Sequence, residues 1–144
     1  MSTTTVTPTV PSPRIGRSII ALLAGFVVNV VLTLATDVGL HVIGIMPALG
    51  QPASDRVLLL ATFYRTVYAI ITSYVVTGLA PNRPMQHALL GGAIGFVLSI
   101  VGAVTTWNSG LGPHWYPLAL VVVAMPTAWL GGQLRTMQAG GDSI

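Results

Sequence analysis

Four apolar runs, each long enough to cross a bilayer and joined by short Pro- and Gly-containing connections, constrain this chain more than any other feature. They cover residues 18–45, 56–79, 85–106 and 115–134. About 20 apolar residues span a hydrocarbon layer ~30 Å thick, and a backbone in lipid must satisfy its own hydrogen bonds, so each run predicts a transmembrane α-helix. The expected fold is an all-α, single-domain bundle of four membrane helices, with sequential helices antiparallel because their connections are short. Composition points the same way: 53% of the 144 residues are hydrophobic and 6% are charged, against about a quarter charged in a typical soluble domain. The expected surroundings are a lipid bilayer.

The few charges are informative. All six basic residues are Arg, there is no Lys or Glu, and the acids are Asp37, Asp55 and Asp142. The pI near 10.0 therefore reflects scarce acids. The Arg residues form no basic patch with interleaved aromatics, so no nucleic-acid partner is expected. Cysteine is absent, which excludes disulfides, thiol catalysis, iron–sulfur ligation and Cys-ligated zinc. Residues 1–13, MSTTTVTPTVPSP, carry too little apolar surface to order and read as a disordered tail, with a second polar tail over 136–144. Arg14 and Arg17 ahead of the first run also fit a signal peptide, with Thr33 and Ala35 near a cleavage point. The run is longer than a signal core, which favours a signal anchor.

Basic residues near helix ends set orientation. Arg14, Arg17, Arg83 and Arg135 fall on one side of the expected bundle and Arg56, next to Asp55, on the other. The positive-inside rule then puts both termini in the cytoplasm of a multi-pass protein of a bacterial inner membrane. Trp107, Trp115 and Tyr116 form an aromatic belt at the opposite interface.

Within the first run, Asn29, Thr33, Asp37 and His41 recur every four residues and share one helical face. Ionisable groups at membrane depth are costly and face protein or water, so this stripe should look inward. Asp37 lies eight residues before Ile45 and Arg65 nine after Arg56, which puts both roughly 12–14 Å below their helix ends at 1.5 Å per residue. The two helices are antiparallel neighbours, so Asp37 and Arg65 are expected to pair. Thr36 adjoins them on the first helix, and Tyr64, Tyr68, Thr72 and Ser73 on the second, extending a polar seam toward Asn29. Such a seam is either interhelical glue around a structural ion pair or the wall of a substrate or proton site.

Other features carry less chemistry. His41 and His114 lie near one face and His87 near the other, so only His41 with His114 could hold haem, and Asp37, His41 and His114 are the candidate metal ligands; their spacing is not diagnostic, and no cofactor is expected. On the third run Gly91, Gly95, Ser99 and Gly102, or Ala103, form a small-residue stripe with a GxxxG step, which would seat a neighbouring helix or a dimer partner. Ala21-Leu-Leu-Ala-Gly25 and Ala88-Leu-Leu-Gly-Gly92 hint at a parallel two-plus-two duplication. Residues 72–81 (TSYVVTGLAP), 84–92 (PMQHALLGG) and 112–120 (GPHWYPLAL) resemble small uncharacterised four-helix integral membrane proteins of bacteria. The resemblance implies the topology and brings no activity or binding residues. With no catalytic constellation, the expected function is non-enzymatic: an accessory subunit or scaffold with a membrane-protein partner. The alternative is an oligomeric small-solute or ion transporter or channel using Asp37 and Arg65, working as a homo-oligomer.

Overall fold

The computed structural model describes residues 15–141. The tail over 1–13, together with Arg14 and Asp142, lies outside the described residues. Four α-helices make up the structure: α1 (Ile15–Val42), α2 (Asp55–Leu79), α3 (Pro84–Thr106) and α4 (Trp115–Gly141). Each is long and apolar enough to cross a membrane. The shortest, at 23 residues, is roughly 35 Å long, enough for a hydrocarbon layer of about 30 Å.

Three boundaries differ from the sequence reading by three residues or more, the first being the start of α1 at Ile15 where 18 is expected. α1 stops at Val42 because Gly44 takes a left-handed conformation (φ 76°) and the Ile45 and Met46 amides turn back to the Leu40 carbonyl. α4 runs on to Gly141, since residues 133–139 are good helix formers with no breaker among them. Tyr74 on α2 also donates a hydrogen bond to Gln138, tying the added turns to the bundle. Pro126 lies inside α4 without ending it. Ser54 occupies the N-cap of α2 but makes no side-chain capping bond; Asp55 instead accepts from Trp115 Nε1 at 2.9 Å.

The helices do not pack evenly. α4 fits closely against both α2 and α3, α1 leans on α2, and α1 scarcely meets α3 and does not pack on α4. Gly131 and Gly132 explain the central position of α4. A Cβ on Gly131 would run into the Ile70 carbonyl and the Ser73 side chain on α2, while one on Gly132 would lie 2.8 Å from Ala88 Cβ on α3. Adjacent glycines thus let one helix approach two neighbours, and such close packing drives association where lipid removes the hydrophobic force between helices. Ser73 adds a bond to the Ala128 carbonyl at 2.5 Å. Most large apolar side chains face outward, as lipid-facing surfaces do: Ile19, Leu23, Val27, Val31 and Leu34 on α1 are all more than half exposed. One end of the bundle carries Arg17, Arg83 and Arg135 and the other carries Trp107, Trp115 and Tyr116. We refer to these as the basic and aromatic ends.

Candidate functional site

The polar faces of α1 and α2 meet as a ladder. Asn29 Nδ2 donates to Thr72 Oγ1 at 3.1 Å, the Thr36 and Tyr68 hydroxyls share a bond of 2.7 Å, and Asp37 accepts from both Tyr64 and Arg65. The Arg65 Nη2 to Asp37 Oδ2 distance is 2.8 Å. Partners descend one helix as they ascend the other, the pattern of antiparallel neighbours. Tyr64 and Tyr68 also pack on each other, with centroids 5.6 Å apart. Each rung is a side-chain bond between helices, so the seam is closed on itself over this stretch. Interhelical bonds of this kind average about 0.6 kcal/mol. Tyr68→Phe is expected to lower stability by about that amount, measured as reversible unfolding in mixed micelles.

Helix ends alone do not place the ion pair. Asp37 lies five residues before the end of α1 at Val42, whereas Arg65 lies ten after the start of α2 at Asp55. The long arginine side chain bridges the difference by reaching toward the aromatic end. There its guanidinium carbon is 6.0 Å from the ring centroids of both Tyr64 and Tyr116, within cation–π range. The Arg65 side chain is 31% exposed and that of Asp37 22%. Arg65 Nε is buried without a hydrogen-bond partner among the described residues.

Behind the ladder lies a cleft of about 510 Å³ walled by all four helices. At the basic end α1 and α3 are joined: His87 Nε2 and Ser18 Oγ are 2.8 Å apart, and Leu22 sits beside Gly91. Farther on they part, and the wall contributed by α1 ends at Thr33 while that of α3 continues to Thr106. The stripe of Gly91, Gly95, Ser99 and Gly102 lines this cleft. A Cβ at Gly95 or Gly102 would meet no atom within 4 Å, so within the bundle these two glycines seat no helix. Arg65, Asn29, Thr33 and Thr72 also face the cleft, as does Tyr116.

The remaining candidates lie elsewhere. His41 Nδ1 bonds the Asp37 carbonyl of its own helix at 2.7 Å. His114 Nε2 bonds the Trp107 carbonyl, and its ring stacks on Trp107 with centroids 4.2 Å apart. Tyr116 escaped the sequence reading as a site residue because it sits among belt aromatics, and nothing in its spacing reveals that it faces Arg65 across 51 positions. Among the described residues, no three His, Cys, Asp or Glu side chains converge. Comparison of the chain with protein-family models, with curated proteins and with solved structures finds no match, so its functional reading rests on its own residues.

Proposed function

We propose that this protein is a non-enzymatic integral membrane protein that works by association within the bilayer, as an accessory subunit or scaffold of a membrane complex. The observation that carries this reading is the closed ladder between α1 and α2. The charged and polar groups of the seam are bonded to one another, which is how a bundle is assembled, and Asn29, Thr72 and Arg65 keep these bonds although they also border the cleft. The mainly apolar outer face of α1 then remains for lipid or a partner helix. The Arg distribution supports both termini in the cytoplasm, and a bacterial inner membrane is the setting that the resemblance to small bacterial membrane proteins implies.

Native mass spectrometry of the protein, extracted gently from its own membrane, tests this. The expected result is a second membrane protein retained in fixed stoichiometry. A homo-oligomer that moves solute or ions in vesicles, and loses that flux on Asp37→Asn without losing folded protein, would overturn it. The transporter reading draws support from the polar groups that border the cleft, Asn29, Thr33 and Thr72 together with Arg65, which also reaches the ion pair.

A further inference from the structure

A second pocket, of about 420 Å³, opens at the basic end of the bundle. The end of α2 and its C-cap supply Thr77, Gly78 and Ala80, α3 supplies Pro84, and α4 supplies Arg135 and Thr136. Helix rise fixes its depth. Trp115 opens α4 at the aromatic end and Arg135 follows twenty residues later, roughly 30 Å at 1.5 Å per residue, which is the thickness of the hydrocarbon layer. α2 repeats the measure: Asp55, bonded to Trp115, precedes Tyr74 by nineteen residues, roughly 28 Å. With Trp115 in the aromatic belt of one interface, Arg135 stands at the other, the level of lipid headgroups.

The Arg135 side chain is seated against α2. Its guanidinium carbon is 5.6 Å from the Tyr74 ring centroid, and the Tyr74 hydroxyl is in turn bonded to Gln138. A Cβ on Gly78 would lie 3.0 Å from Arg135 Nε, so this glycine leaves the space that the guanidinium occupies. No carboxylate neutralises it. Among the described residues the ion pair is that of Arg65 with Asp37, both described acids, Asp37 and Asp55, lie toward the aromatic end, and no group accepts a hydrogen bond from Arg135. The third acid, Asp142, lies outside the described residues. Other donors in the pocket are committed or absent: Thr77 donates to the Ser73 carbonyl, Thr136 to Gln133, and Pro84 has no N–H. What the pocket offers a ligand is therefore one positively charged planar fork of N–H groups at headgroup depth. That chemistry suits a phosphodiester, and it favours a headgroup with no ammonium of its own.

We propose that this pocket binds one anionic phospholipid of the leaflet at the basic end, its phosphodiester oxygens accepting hydrogen bonds from the Arg135 guanidinium. Arg83 shares that end without lining the pocket, so it adds a diffuse attraction for anionic lipid and does not fix its position. Gly78 acts as a positioning residue, since it decides where the guanidinium lies without touching the ligand's charge. The site requires only that the chain reside in a bilayer, so it stands or falls separately from the partner subunit.

The test titrates the full chain in mild detergent micelles with phosphatidylglycerol or with phosphatidylethanolamine and counts the lipid-bound species by native mass spectrometry. Phosphatidylglycerol is expected to bind roughly tenfold more tightly, and Arg135→Gln to abolish that preference. Gly78→Leu keeps the charge but displaces the guanidinium from its seat, and should lower the affinity for phosphatidylglycerol by about the same factor. Arg83→Gln removes a charge at the same end outside the pocket and should change it less than about twofold, because an exposed charge acts weakly through screened solvent. If Gly78→Leu is not recovered, Arg135→Lys takes its place, since it too keeps the charge while losing the planar fork. Equal affinity for the two lipids, equal losses on Arg83→Gln and Arg135→Gln, or binding indifferent to the variant that keeps the charge would each overturn the proposal in favour of diffuse attraction. Displacement of phosphatidylglycerol by an equal concentration of glycerol phosphate would overturn it too, by revealing a site for a soluble anion.

Discussion

Asp37→Asn is expected to lower both the yield of folded protein and its unfolding midpoint in mild detergent, by a larger margin than any single rung of the ladder. The substitution leaves the Arg65 guanidinium with no counter-charge and replaces a carboxylate that accepts from two donors, Tyr64 and Arg65. A lone Arg at the centre of a membrane helix costs about 2.5–3.5 kcal/mol on insertion scales, which is the upper bound here because both side chains keep some contact with the surroundings. Arg65→Leu combined with Asp37→Leu should recover most of the loss, since removing both partners leaves no charge unpaired. Measuring the four corners of this cycle separates the pair's own contribution from the cost of an orphaned charge. If Asp37→Asn unfolds no more easily than Tyr68→Phe, the ion pair is not what holds α1 to α2.

Gly131→Val should be at least as damaging, by a different route. A Cβ there meets the Ile70 carbonyl oxygen, the Ser73 Cβ at 2.7 Å and the Tyr74 amide nitrogen at 3.0 Å. Two of these are backbone atoms of α2, which cannot rotate aside, so α2 and α4 must separate. Overpacking costs about 1–3 kcal/mol and sometimes more, and separation also weakens the Ser73 to Ala128 bond. Thermal unfolding of the purified variant measures the loss, and Gly95→Ala, whose added methyl meets nothing within 4 Å, serves as the comparison. A Gly131→Val protein as stable as that control would mean that α2 and α4 are not in close contact in the bilayer.

Much of this was legible along the chain. The four helices follow from the length of the apolar runs and the demand that backbone groups in lipid bond within their own segment. That Asp37 and Arg65 should meet follows from the cost of burying either alone on neighbouring antiparallel helices. The four-residue recurrence of Asn29, Thr33, Asp37 and His41 marks the face of α1 that must turn inward. Yet that face is shared out in the structure: Asn29 and Asp37 join the ladder, Thr33 lines the cleft, and His41 bonds its own helix. Local periodicity fixes direction around a helix axis, and it carries no information on which neighbour lies in that direction.

The role of the glycines shows the division most clearly. Gly91 and Gly95 have the spacing of a packing motif, while Gly131 and Gly132 have no motif spacing at all. The structure packs the second pair tightly against α2 and α3, as it does Gly25 and Gly92 against Val76 and Ala128, and turns the first toward an open cleft. By itself the sequence determined the helices, their suitability for lipid and the face of α1 that must be covered, because those depend on hydropathy and on residues a few positions apart. Only the tertiary structure decided that α1 follows α2 away from α3 and that Tyr116 stands beside Arg65. Those outcomes depend on which small side chains on four separate helices allow the closest approach, a sum of long-range packing terms that no local pattern encodes.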